Sequence, residues 1–168
     1  MLPLKSFLLK VALPLIIFTA GSDRLSKAYV FDYLRSIPHK TIEITSFFNI
    51  TQIWNFGVSF GLFKADSFKG VLLLLFVASL IVGFLSYMLI KSQTKIEAIG
   101  LACIIGGALG NLFDRLYYGA VYDFLDLHLM GIHFWTFNPA DAYITIGAIL
   151  LLSDQFLIAY KRPKSTHQ

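Results

Sequence analysis

From Gly70 to Ile90 the chain carries no charged residue, and such a stretch has few places to fold. A hydrocarbon core of about 30 Å is crossed by a helix of about 20 apolar residues, which satisfies its own backbone hydrogen bonds. Three further segments meet that test, at about 7–28, 96–114 and 139–160. Pro14 lies inside the first, where neighbouring helices can satisfy the carbonyl it frees. Composition agrees: 57% of the 168 residues are hydrophobic and 14% charged, with a mean hydropathy of +0.69. A soluble domain carries about 25% charged residues, so this chain has too few to cover a water-facing surface. The expected fold class is an α-helical integral membrane protein with four transmembrane helices, one membrane-embedded domain over 1–168 with a flexible tail at 163–168.

Charge placement orients the spans. Lys5, Lys10, Lys91, Lys95, Lys161, Arg162 and Lys164 fall on one side, against the single acid Glu97. The positive-inside rule makes that side cytoplasmic and places both termini there. The net charge of +4 is thereby read as topology; the basic residues form no stripe with interleaved aromatics, and no nucleic-acid partner is expected. Lys5, Lys10, the apolar run and Thr19-Ala20-Gly21 also resemble a cleavable signal sequence. Asp23, Arg24 and Lys27 follow directly and look like part of a site, so the segment is read as retained. The other side carries two longer loops, about 25–69 and 114–138. Alternating β-branched and aromatic residues at Thr41–Thr45 and Asn49–Trp54 predict two short strands turning around Ser46–Asn49, a small extracytoplasmic β-sheet between helices one and two. Cys103 is a single cysteine in an apolar stretch, read as a small buried hydrophobe.

The acids carry the information. Of ten, Asp23, Asp114, Asp123, Asp126 and Asp141 lie at or near the outward ends of spans, and charges near hydrocarbon point to function when several converge. The ends of spans one and three and the start of span four share one face, so Asp23, Asp114-Arg115 and Asp141 can meet there, with Asp123 on the connection between the last two. Each has a plainer reading. Asp23 and Lys27, four apart on a helix, make a surface pair. Asp114-Arg115 can be an end-of-helix charge pair. Asn138-Pro139-Ala140-Asp141 reads as a helix start, with Asn138 as the cap and Asp141 facing the positive end of the dipole; taken alone, Asp141 suits capping as well as catalysis. Asp123, flanked by Val121-Tyr122 and Phe124-Leu125, is the hardest to explain without a partner. Asp154 lies about two turns before Lys161, roughly 10 Å from the cytoplasmic edge, and is expected to snorkel or pair with a lysine. His39, His128 and His133 show no metal-ligand spacing with the acids, and no zinc motif or serine dyad is present.

Two carboxylates held close cannot both ionise, so they share a proton and titrate apart. The ionised one can take a proton from water while the protonated one hydrogen-bonds a scissile carbonyl, which is aspartic-protease chemistry without metal, cofactor or covalent intermediate. In such a pair Asp141, at a helix N-terminus, would tend to be ionised and Asp123 protonated. Asn55, Asn111, Arg115 and Asn138 can donate to substrate carbonyls, and the glycines of Gly106 to Gly110 leave room for close helix approach or for substrate.

Five motifs carry a resemblance over nearly the whole chain: Ser22-Asp23-Arg24-Leu25-Ser26-Lys27, Asn55-Phe56-Gly57-Val58-Ser59-Phe60, Gly106 through Arg115, Val121-Tyr122-Asp123-Phe124 and Phe137-Asn138-Pro139-Ala140-Asp141. Each alone is weak, but all five in order on four spans are specific, and the chain resembles the lipoprotein signal peptidases (signal peptidase II). The resemblance implies an aspartic endopeptidase with a catalytic dyad at Asp123 and Asp141. It implies that Asn55, Gly57, Asn111, Asp114, Arg115 and Asn138 shape the substrate site, with Asp23 and Lys27 in support. It further implies cleavage of prolipoproteins before a diacylglyceryl-modified cysteine, near the outer face of the bacterial inner membrane. Membrane lipids are expected partners, globomycin and myxovirescin expected inhibitors, and a monomer the expected state. Pro139 stands where an aliphatic residue is usual, and Val58-Ser59 where an Ala-Ala type pair is. Proline suits a first helical position, so the change at 58 and 59 is the one expected to alter lipobox or inhibitor fit. The rival readings are a proton-coupled membrane carrier, which needs acids crossing the bilayer, and a scaffold whose polar cluster only ties helices together.

Overall fold

The computed structural model describes residues 4–57 and 68–161. Four of its helices are long and apolar enough to cross a membrane: α1 (Leu4–Leu34), α2 (Phe68–Lys91), α3 (Lys95–Tyr118) and α4 (Pro139–Lys161). Val58-Ser59 and the tail at 163–168 lie outside the described residues. Between α1 and α2 run β1 (Thr41–Thr45) and β2 (Phe48–Asn55); between α3 and α4 run β3 (Val121–Leu129) and β4 (Ile132–Phe137). The four strands form one antiparallel sheet in the order β1-β2-β3-β4.

The first helix runs past the expected end of its span at about residue 28. At 31 residues, α1 measures about 46 Å at 1.5 Å per residue, which is longer than a slab of about 30 Å requires. Ahead of Pro14 the helix widens into a π turn over Leu8–Ala12, with the Leu13 amide donating to the Leu8 carbonyl. Proline has no N–H to donate to the Lys10 carbonyl, and the wider turn absorbs that loss. The segment is built into the bundle, since Thr19, Asp23 and Lys27, spaced by four, are all buried.

The sheet corrects the expectation that only the loop between helices one and two forms strands. The connection holding Asp123 is itself a hairpin, turned at Met130-Gly131, both with positive φ (51° and 79°). Two consecutive positive φ values make the type I′ turn that suits a two-residue hairpin, although methionine is a poor choice for its first position. The first hairpin forms where the alternation predicts it, pairing Thr41 with Thr51 and Ile42 with Ile50.

At the opposite end of the bundle, Thr94 caps α3 by accepting from the Glu97 amide at 3.0 Å while its hydroxyl donates to Asp154 at 2.8 Å. Asp154 is 3% exposed, and no lysine pairs with it among the described residues. The expected lysine partner is thus replaced by a hydroxyl, which satisfies a buried carboxylate without bringing a second charge out of water. Cys103 is buried.

Candidate active site

Three helices meet through small residues. A Cβ on Gly106 would strike Thr19 Oγ1, one on Gly107 would strike the Ala140 carbonyl, and one on Gly110 would stand 2.5 Å from Asp23 Oδ2. Glycine at these positions lets α3 approach α1 on one side and α4 on the other.

In that seam lies a fully buried charge node. Lys27 Nζ sits 2.8 Å from Asp23 Oδ2 and 2.8 Å from Asp114 Oδ2, and donates to Asn111 Oδ1 at 3.1 Å. Lys27 is 1% exposed and both aspartates 0%. Arg24 adds a longer contact to Asp114, 3.4 Å. The surface pairing of Asp23 with Lys27 therefore gives way to a buried one with a third member. Each carboxylate also grips a backbone amide: Asp23 Oδ1 accepts from Ala140 at 2.9 Å, and Asp114 Oδ2 from Tyr122 at 3.2 Å.

Those amides belong to the residues just before Asp141 and Asp123. Asp123 is 2% exposed; its Oδ1 accepts from Asn138 Nδ2 at 2.6 Å and its Oδ2 from Asn55 Nδ2 at 3.1 Å. Burial pushes its carboxyl up to about 7, the charge of Asp141 pushes the same way, and the two asparagine amides and Lys27 pull it down. Asp141 closes a reciprocal cap with Asn138: its amide donates to Asn138 Oδ1 at 3.1 Å, and its Oδ2 accepts from the Asn138 amide at 3.3 Å. This is capping-box geometry with an aspartate in the reciprocal role. Its Oδ1 accepts from Asn111 Nδ2 at 2.8 Å, and Asn138 Nδ2 reaches Asn111 Oδ1 at 3.1 Å. Two asparagines thus link the two aspartates through an unbroken string of amides. Above them, Gly57 donates to Asn55 Oδ1 at 3.0 Å, and its carbonyl accepts from Arg115 Nη2 at 2.9 Å.

The structure brings together Asp23, Lys27, Asn55, Gly57, Asn111, Asp114, Arg115, Asp123, Asn138 and Asp141. Asp126 stands apart. It is buried on β3, where it accepts from His133 Nδ1 at 2.7 Å and from Thr136 at 3.3 Å, and so fastens β3 to β4. Sequence reasoning passed over two contributors. Thr19 continues the stripe of Asp23 and Lys27 at the same spacing, and its hydroxyl fills the place beside Gly106. Tyr143 hydrogen-bonds Ser22 at 2.9 Å across α4 and α1, and nothing in its local sequence marks it. No cluster of metal-ligating side chains occurs among the described residues.

A family model described as Signal peptidase (SPase) II matches residues 15–157. The lipoprotein signal peptidase of Rickettsia felis is 42% identical over 134 residues, which cover 80% of this chain and 68% of that one. That of Pelagibacter ubique is 38% identical over 149 residues, 89% of this chain and 88% of that one. Two solved structures described as bacterial membrane enzymes share the fold. One has a TM-score of 0.76 at 26% identity, covering 91% of this chain and 92% of the other; the second has 0.69 at 27%, covering 91% and 94%.

Proposed function

The chain belongs to the signal peptidase II family, and on that premise we propose that Asp123 and Asp141 form an aspartic dyad that removes signal peptides from diacylglyceryl-modified prolipoproteins. The observation that carries the reading is the joining of a buried Asp123 to Asp141 through the side-chain amides of Asn138 and Asn111. A carboxyl buried beside Asp141 and raised to about 7 holds a proton near neutral pH, whereas Asp141 sits in the first turn of α4, where the helix favours a negative charge.

In the proposed cycle, Asp141 takes a proton from water and the resulting hydroxide attacks the scissile carbonyl carbon. Asp123 gives its proton to the carbonyl oxygen, producing a neutral gem-diol. On collapse, Asp123 takes a proton back from one hydroxyl, Asp141 delivers its proton to the leaving nitrogen, and the C–N bond breaks. Both carboxyls return to their starting states. Asn55 and Asn138 orient Asp123, and Asn111 orients Asp141. Arg115, through its bond to the Gly57 carbonyl, positions the β2 exit that would flank the substrate backbone. The same reading places the sheet and the dyad at the outer face of the bacterial inner membrane, with both termini cytoplasmic as the positive charges direct.

The test is cleavage of a lipidated prolipoprotein by the protein purified in detergent. Asp123→Asn and Asp141→Asn should each lower kcat by about 10²–10⁴ or more, while both variants still fold and bind substrate. Globomycin should inhibit the parent protein. Turnover surviving in either variant within tenfold of the parent would remove that residue from the chemistry, and loss of folding in both would favour the scaffold reading.

A further inference from the structure

One edge of the sheet is left open. No strand lies beyond β4 among the described residues, and the direction in which its main chain points follows from the ladder on the other side of β3. The His128 amide donates to the Phe47 carbonyl at 3.0 Å, on the β2 side. Main-chain groups alternate sides along an antiparallel strand, so Asp126, two residues earlier, also turns toward β2. The partners of these two residues on β4 are His133 and Thr136. With His128 and Asp126 committed to β2, the N–H and C=O of His133 and Thr136 turn outward, off the edge of the sheet. The bulge between them keeps both on that edge although three residues separate their numbers.

Proteins guard such rows against unwanted pairing with charges, prolines or a covering element. The opposite edge of this sheet is guarded: Pro38 and Lys40 lead into β1, and Glu43 sits within it. The edge at β4 is not. Ile132 to Phe137 contains no proline and, apart from His133, no ionisable residue, and Ile132, Phe134 and Trp135 are 71%, 56% and 46% exposed. An open, apolar edge is suited to taking an extended peptide as a further strand, held by main-chain hydrogen bonds. β4 also leads directly to the dyad. Its last residue, Phe137, precedes Asn138, whose Nδ2 donates to Asp123 at 2.6 Å.

Strand direction names the occupant. β4 runs toward the dyad, so a strand paired antiparallel to it runs away from the dyad, N-terminus to C-terminus. In a peptide whose scissile bond lies at Asp123 and Asp141, the residues that run away are those after the bond. On the peptidase reading above, we infer that the free edge of β4 binds the substrate's residues C-terminal to the cleaved bond as a fifth, antiparallel strand. The reach is set by two strand spacings, about 10 Å from β3 to beyond β4, which about three extended residues cover. Pairing therefore begins at about the third residue after the bond and continues along β4. Recognition of this kind reads the main chain, and every second peptide amide faces the edge.

Backbone methylation of the substrate tests this without altering the protein. Lipidated prolipoprotein peptides, each with one N-methyl group moved a residue at a time outward from the second residue after the bond, are cleaved by the full-length protein in detergent. From about the third residue onward, methylation should raise KM about fivefold to tenfold at every second residue. The residues between should show the unmethylated KM, and kcat should stay constant throughout. Thr136→Pro removes an outward N–H at an edge position where proline is tolerated, and should raise the KM of the unmethylated peptide several-fold. Thr136→Val keeps that N–H, loses only the hydroxyl bond to Asp126, and should leave KM unchanged. A profile that is flat, or that varies without alternation, would overturn the inference while leaving the peptidase reading intact. So would a flat profile from a protein that light scattering finds dimeric, which would assign the edge to a second copy. Failure to cleave even the unmethylated peptide would overturn the peptidase reading and the inference that rests on it.

Discussion

Replacing Asp123 by asparagine removes a proton that the folded chain holds to about pH 7 and an ordinary carboxyl releases near 3.8. Between those values folding takes up a proton, so the parent's stability is greatest at low pH, falls as pH rises through the window, and levels off above 7. The span is about three pH units, and at about 1.36 kcal/mol per unit the loss between pH 4 and pH 8 is about 4 kcal/mol. Asp123→Asn lacks this loss. It brings one of its own: asparagine has a single acceptor oxygen, so either Asn55 or Asn138 loses its bond, at about 1 kcal/mol independent of pH. The variant should therefore be slightly less stable than the parent at pH 4 and clearly more stable at pH 8. A swing of about 4 kcal/mol corresponds to a relative shift in unfolding midpoint on the order of 10 °C for a chain of this size. Thermal unfolding in one detergent across pH 4–8 measures it. A difference between variant and parent that stays flat over that range would refute the raised carboxyl and, with it, the division of labour between the two aspartates.

Two further outcomes follow from the seam of α1, α3 and α4. Lys27→Met leaves Asp23 and Asp114 buried without their cation and should cost about 3–5 kcal/mol; adding Asp23→Asn and Asp114→Asn should restore part of that stability, seen as a higher unfolding midpoint in the triple variant than in the single one. Gly107→Ala drives a methyl against the Ala140 carbonyl and should destabilise by about 1–3 kcal/mol, with cleavage falling further than the stability loss explains, because α4 carries Asp141.

The parts of this fold legible in the sequence are those where one physical rule acts alone. The charge-free run of α2 and the alternation of Thr41–Thr45 needed no tertiary information. The second hairpin was hidden because Val121–Phe124 reads equally as apolar packing, and its turn puts methionine where asparagine or glycine would announce a positive φ. The burial of the charges near the end of α1 was hidden for the opposite reason. Asp23 and Lys27 look like groups in contact with water, and their burial becomes tolerable only when the chain brings Asp114, Asn111 and the Ala140 amide to them. Likewise Asp154 reads as a lysine's partner until the chain folds and Thr94 arrives. For the site, residue types and spacing pointed to the members, while the way they are joined, through side-chain amides and backbone N–H groups, has no sequence signature.

That joining bears on precision. Asp23 holds the amide of Ala140 and Asp114 that of Tyr122, so the two carboxylates paired through Lys27 each fix the residue preceding one proposed catalytic aspartate. A buried ion pair is a weak source of net stability, because desolvation cancels much of its Coulomb gain; hydrophobic side chains of similar volume would hold three helices together as well. They could not grip a backbone N–H. A carboxylate can, through a charge-assisted hydrogen bond, provided that a cation offsets the cost of burying it. Lys27 serves that need for both acids at once, coupling the start of α4 to the start of β3 through a single side chain. Displacements of about 1 Å at a reacting centre can cost about 10²-fold in rate, so a node of this kind is better explained by the registry it imposes on Asp123 and Asp141 than by the stability it adds.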